Sequence, residues 1–335
     1  MKLAAAGLSS AAVHATGCAG AGPVTRPTLH LPTPESPLTP TEAWYYVALT
    51  GAYDADRKRH RLSVGGRTHR NLSLSVDDLE RRFETVTVPH TLACVGDIPN
   101  GALFSASVFR GVRSRDVLRA AGVRNNASLA LLYGLDGYLV PRAVEDLLRE
   151  DTLLVFEMGI HEDRLAPLNV EHGFPLRILT PGLYGFVQPK WLSSITLVDD
   201  SDHVDVLRRS NTYASGEMQL TSGFSWPRPG QTLAPAEHEV VGYSFGDGRT
   251  IAKVEVSANG EPWEPATLAW NTPDDALPPR VWALWTYRWR AVDIGAHDLS
   301  VRATYDDGET QHGGRNFPYA GGSIATVTVF VGDET

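Results

Sequence analysis

EHGFPLRILTPGLYGFVQPKW, from Glu171 to Trp191, sets His172, Arg177 and Lys190 among closely spaced glycines and prolines. Arginine offers a planar fork of donors and lysine a point charge, and glycines let backbone N–H groups approach a ligand closely. The combination suits a cradle for a phosphorylated, anionic molecule. The plainer reading is a solvated loop holding one structural histidine. Taken locally, both stand.

Upstream, TVTVPHTLACVGD is a β-rich run that delivers Cys94 near the end of a strand. The chain has only 2 cysteines, the other being Cys18, so no disulfide framework is available. A lone thiol among Val and Leu has three readings: a small buried hydrophobe, a nucleophile, or a soft ligand for a metal.

The surrounding texture is mixed. HRLSVGG reads as an alternating strand closed by a turn, and NLSLSVDDLERRF as a strand leading into a short helix capped by Ser75. SRDVLRAAGV is an amphipathic helix ended by Gly122, and PRAVEDLLRED another helix. ASLALLYGLDGYLV gives two strands around the Asp136-Gly137 turn. These elements alternate without the regular strand–helix–strand period of a dinucleotide-binding domain, which predicts a mixed α+β domain over residues 40–210. Past residue 215 helical signals vanish. Short strands punctuated by Gly-Asp-Gly and Asn-Gly turns predict an immunoglobulin-like β-sandwich over 215–335. Its tryptophans (Trp263, Trp270, Trp282, Trp285 and Trp289) read as core and inter-domain packing, with a carbohydrate-stacking platform as the alternative.

Composition bounds the function. With 335 residues, 42% hydrophobic and 21% charged, the chain has material for two cores. A net charge of −9 argues against nucleic acid as a partner, since phosphate neutralisation needs a basic stripe. No apolar run is long enough to cross a bilayer. MKLAAAGLSSAAVHATGCAGAGPV approximates a bacterial export signal with a lipid-attachment cysteine at Cys18, the alternative being a disordered tail. Residues 1–35 are expected outside the fold. HExxH, CxxC, CxxCH, a post-strand GxGxxG and the P-loop are all missing, so the chain carries no haem-attachment, iron–sulfur or nucleotide signature.

In order and spacing, HRLSVGG…NLSLSVDDL, TLACVG, FRGVRSRDVLRAAGV and the block from LLVFEMG to KWLSSI resemble the molybdopterin-binding domain of the sulfite oxidase family. The tail from VVGYSFGDG to HDLSVRAT resembles that family's immunoglobulin-like dimerisation domain. The resemblance implies a molybdenum cofactor and two-electron oxygen-atom chemistry. It gives Cys94 a role as the protein ligand to molybdenum, the pterin dithiolene supplying two further sulfurs. It places His172 and Arg177 at the cofactor phosphate and pterin, Gln188 and Lys190 in the segment that wraps the pterin, and Asp136 beside the pterin ring. Tyr213, in RRSNTY, matches a substrate-pocket tyrosine only approximately, its spacing being longer by two residues.

Two departures bear on substrate. Sulfite oxidases carry an arginine after an aromatic pair near the domain start, where Tyr45-Tyr46 is followed here by Val47 and Ala48. They also place arginine soon after the cysteine, whereas no basic residue falls between Cys94 and Arg110. Sulfite, a small dianion, therefore loses its expected contacts, and the pattern resembles less characterised bacterial members. The expectation is an oxidoreductase acting on a small molecule, with an external electron partner such as a cytochrome, a homodimer contact through the sandwich and an extracytoplasmic or membrane-associated setting (cytoplasmic as the alternative). The competing expectation is a non-catalytic cofactor-binding or structural module that keeps the fold.

Overall fold

The computed structural model describes residues 30–48, 51–199, 216–260, 262–270, 281–316 and 318–332. Tyr213 lies outside them. Strands dominate, and the α-helices among the described residues are three and short: α1 (Val76–Arg82), α2 (Ser114–Ala121) and α3 (Val144–Leu148).

Local chemistry accounts for the helix ends. At the start of α1, Ser75 Oγ accepts from the Asp78 N–H at 3.0 Å while Asp78 Oδ2 accepts from the Ser75 N–H at 3.0 Å. This reciprocal box satisfies two amides that have no partner inside the helix. Asp77 and Asp78 in the first turn and Arg81 and Arg82 in the last complement the helix dipole. Helix α2 stops at Gly122, whose φ of 75° suits a residue without a Cβ. It buries Val117, Leu118 and Ala121.

The first half of the fold holds two sheets. One runs Leu72–Leu74, Leu62–Gly66, Leu192–Val198, Leu129–Gly134, Leu139–Ala143, with a parallel pair between Leu62–Gly66 and Leu192–Val198. The other is antiparallel and runs Thr85–Ala93, Phe104–Arg113, Leu153–Gly159, Ala166–Pro167, with Arg177–Leu179 also paired to Leu153–Gly159. Leu62, Val64, Leu132 and Ile195 of the first sheet share one core with Leu79, Leu118 and Leu147 of the helices and with Leu154 and Ile178 of the second sheet.

The second half is two sheets face to face. One orders Thr221–Trp226, Ala236–Phe245, Ala283–Ala291, Thr267–Trp270; the other Thr232–Leu233, Ala325–Val331, Gly295–Tyr305, Ile251–Ala258, Glu264–Pro265. Ala325–Val331 alternates strictly between buried and exposed residues, as a strand with one core face must. Trp285 and Trp289 meet Val254, Val301 and Val329 in the core between the sheets.

The two halves are bonded together where Cys94 sits. Phe104 packs on Tyr243 (ring centroids 4.4 Å) and edge-on to Trp282 (5.8 Å), and the Trp282 N–H donates to Thr91 Oγ1 at 3.0 Å. Asn100, with φ of 55°, donates from Nδ2 to the Thr326 carbonyl (2.9 Å) and accepts at Oδ1 from the Phe224 N–H (3.1 Å). Asn100→Ala strands both partners and is expected to lower unfolding free energy by about 1–3 kcal/mol, read from the urea midpoint. Asn100→Gly, which tolerates the backbone but makes neither bond, should cost less than alanine.

Residues 30–35 differ from the sequence expectation: they lie against the protein rather than outside it. Leu31 packs on the inter-domain core, and Ser225 Oγ donates to the Pro32 carbonyl. Further on, Trp282 Nε1 donates to the Pro37 carbonyl (2.7 Å), Thr39 exchanges hydrogen bonds with Ala106, and Trp44 Nε1 donates to Ser107 Oγ. Prolines cannot donate from the backbone, but their carbonyls still accept, so a proline-rich strap can lie across side-chain donors.

Candidate active site

Cys94 follows the last residue of Thr85–Ala93. Its N–H donates to the Leu103 carbonyl at 2.8 Å and its carbonyl accepts from the Asp97 N–H at 3.2 Å, so main-chain bonds hold the residue at the wall of the cleft. The thiol side is nearly buried, with 7% exposure. The cleft is lined by Ala93, Val95, Asp97 and Tyr184 of the first half and by Thr221, Phe245 and Gly321 of the sandwich. Tyr184 comes from the opening stretch. Its hydroxyl accepts from the Gln219 N–H at 3.1 Å, and burial pushes its pKa up to about 12, so the phenol stays protonated. Burial likewise pushes the Asp97 carboxyl up to about 6, against the pull of the Ile98, Leu103 and Ala102 amides.

The basic trio lies behind the same loop. Arg177 is 3% exposed; its guanidinium donates to the His172 carbonyl at 3.2 Å, and its Nε has no partner. Among the described residues it makes no ion pair, and burial lowers its pKa to about 10. Lys190 donates to the carbonyls of Glu171 (2.8 Å) and Val47 (3.1 Å) and sits over the rings of Tyr46 (4.2 Å) and Trp191 (4.6 Å). Burial and then Arg177 bring its pKa down to about 7, while Asp136 and Glu171 oppose the fall. Gly173, at φ of 106°, makes the close approach feasible: a Cβ there would stand 3.1 Å from both Arg177 Cβ and Lys190 Cβ.

His172 stacks edge-on to Trp44 (5.6 Å) and contacts the Thr41 carbonyl at 3.3 Å through Nε2. Burial, then Arg177, push it down to about 4. The unfolded chain takes up this proton near 6.5, so between about 6.5 and 4 stability falls as pH falls. Wild type is accordingly expected to lose on the order of 3 kcal/mol more than His172→Gln across that window, measured by urea unfolding at each pH.

The structure thus brings His172, Arg177 and Lys190 together, with Asp136 close enough for its charge to reach Lys190. Asp136 Oδ1 also accepts from the Tyr138 N–H at 3.1 Å, closing its turn. Gln188 turns inward, with Oε1 accepting from the Thr180 N–H (2.7 Å) and Nε2 donating to the Leu183 carbonyl, so its amide staples the loop. Ala48 is buried beside Tyr46 and Trp191. Two groups were not legible in the sequence as site residues. Asp97 reads as an ordinary turn residue, and Arg315 lies far along the chain in a sandwich loop, yet its charge acts on the Tyr184 phenol. Arg315 Nε is buried without a partner.

A cysteine at one side of the loop and a buried arginine with no carboxylate partner among the described residues at the other suit a soft metal and an anion. Residues 50–204 match the model of the oxidoreductase molybdopterin-binding domain. The chain carries a stretch similar to the molybdopterin-binding domain of sulfite oxidases. It is 29% identical to the sulfite oxidase of Gallus gallus over 74% of this chain and 62% of that protein. It is 28% identical to the uncharacterized oxidoreductase YuiH of Bacillus subtilis over 52% of this chain and 82% of that one. The sulfane dehydrogenase SoxCD of Paracoccus pantotrophus shares the fold, with a TM-score of 0.73 at 19% identity over 87% of this chain and 80% of that one. The family implies a molybdenum cofactor.

The molybdopterin domain's own residues fit that group. Arg177 is a buried cation whose Nε has no partner and on which no carboxylate acts among the described residues; a phosphate would supply that counter-charge. Burial leaves His172 neutral and lowers the pKa of Lys190, on which Asp136 and Glu171 act. Among the described residues no cluster of three or more His, Cys, Asp or Glu could hold a metal unaided, so a metal at Cys94 would draw its other ligands from the cofactor.

Proposed function

We propose that the protein is a molybdenum-cofactor oxidoreductase acting on a small molecule in the Cys94 cleft, with electrons exchanged with a separate protein such as a cytochrome. The observation that carries this reading is the buried Arg177 guanidinium, which makes no ion pair among the described residues and whose Nε has no partner, set with Lys190 and His172 at the ends of the loop that lines the cleft. Bound there, the cofactor supplies two-electron exchange of an oxygen atom.

The protein's residues would divide the remaining work. Arg177, Lys190 and His172 hold the phosphate and pterin, and Cys94 offers a thiolate to the metal. Tyr184, kept protonated, donates a hydrogen bond to an oxygen of the substrate. Phe245, Val95 and Ala93 exclude water from the cleft. The non-catalytic alternative, a cofactor-binding or structural module, has less support in its cofactor-free form: a buried cation such as Arg177 destabilises a fold, and a module without cofactor gains nothing by retaining it. A homodimer through the sandwich, immunoglobulin-like in type, and an extracytoplasmic or membrane-associated setting complete the proposal.

The test is molybdenum content by plasma mass spectrometry after expression in a host that makes the cofactor. About one metal per chain supports the reading. Folded, well-expressed protein without molybdenum overturns it.

A further inference from the structure

The loop after Cys94 gives the cleft a fixed negative wall. Asp97 lines the cleft, and its carboxylate accepts from the backbone N–H groups of Ile98, Leu103 and Ala102. It folds directly over Gly101, where any Cβ would overlap Oδ1. The loop cannot carry the carboxylate away, because Asn100 bonds it to two strands of the sandwich through Phe224 and Thr326. Gly321 closes the other side: a Cβ there would lie 3.2 Å from the Asp97 carbonyl oxygen.

The charges facing the cleft therefore do not sum to an oxyanion site. Asp97 is in the lining itself, whereas Arg315, whose charge acts on Tyr184, is not among the lining residues. No basic residue lies in the sequence between Cys94 and Arg110. In a cleft walled by Phe245, Val95 and Ala93 water screens less than it does in bulk, so the carboxylate disfavours an anion there.

We propose that Asp97 is a specificity-determining residue of the Cys94 cleft, excluding oxyanions and admitting small neutral, dipolar molecules. This deepens the proposed function and rests on it. The residue acts by charge, not by shape, and that separates it from a loop-building role. Asparagine has the same outline and retains one acceptor oxygen for the three amides.

Sulfate and dimethyl sulfone make the matched probes, since both are tetrahedral sulfur compounds of similar size and differ in charge. Each is titrated calorimetrically into cofactor-loaded wild type, Asp97→Asn and Asp97→Ser, with molybdenum measured on the same samples. Asp97→Ser, which also keeps an acceptor, serves if Asp97→Asn fails to fold. The expected result is sulfate binding tightened about tenfold or more in the variant, because a like charge has been removed, with dimethyl sulfone changed less than about twofold. Equal changes for both probes, or none for either, at wild-type molybdenum content would overturn the selector while leaving the enzyme reading intact. Molybdenum-free wild type would overturn both.

Discussion

Cys94→Ser is expected to lower turnover by more than about a hundredfold and to alter the metal's ligand-to-metal absorption, while the protein still folds. The magnitude exceeds the 10–100-fold typical of losing a group that merely supports a metal ligand, because here the ligand itself is replaced. Sulfur is a soft, polarisable donor that is deprotonated at the metal, and a serine hydroxyl is neither. The fold should tolerate the change because the main chain at Cys94 is held by Leu103 and Asp97 through backbone bonds that serine preserves. Molybdenum content should fall less than turnover does, since the grip of His172, Arg177 and Lys190 lies on other residues. A variant with wild-type absorption and turnover would return Cys94 to the role of a small buried hydrophobe.

Arg177→Met should separate binding from stability. In the protein without cofactor, the guanidinium is 3% exposed, makes one hydrogen bond to a carbonyl and faces no carboxylate among the described residues. Removing an uncompensated buried charge in favour of an apolar side chain of similar length is expected to raise the melting temperature of the cofactor-free protein. The same change deletes a donor fork for the phosphate, and losing one partner of a buried charged pair costs about 2–5 kcal/mol. Affinity for the cofactor should fall by about 30-fold or more at the lower end of that cost, seen as molybdenum-poor protein. Opposite movements of melting temperature and metal content mark a site built for an anion. A variant that melts lower and keeps its molybdenum would instead make Arg177 a structural residue.

The two experiments probe opposite sides of one loop. Tyr184 lines the Cys94 cleft, while Arg177 and Lys190 bracket the loop's ends. A Cβ at Gly185 would lie 3.1 Å from the Tyr45 hydroxyl and 3.5 Å from the Ala93 carbonyl, so the loop packs directly onto the strand that delivers Cys94.

Much of the fold follows from near neighbours along the chain. Ser75 and Asp78 start α1, Gly122 ends α2, and Asp136-Gly137 joins its two strands, because caps and turns satisfy backbone groups within three or four residues. The alternation in Ala325–Val331 assigns its core face unaided. The basic residues of the opening stretch were legible too, since they sit within one loop. What the sequence could not say was which distant surfaces meet. Asn100 bonds Thr326 across 226 positions, Arg315 reaches Tyr184 from the sandwich, and the strap's carbonyls find Ser225 and Trp282. Gln188, which the resemblance places in the segment that wraps the pterin, staples its own loop through its amide, a pairing that no local pattern announces. Such pairings are chosen by packing and by the need to satisfy buried donors once two sheets have closed on each other, and no local pattern encodes that choice. So the sequence by itself determined the elements and gathered His172, Arg177 and Lys190 into one stretch, whereas the surroundings of Cys94 were decided only when the sandwich closed over it.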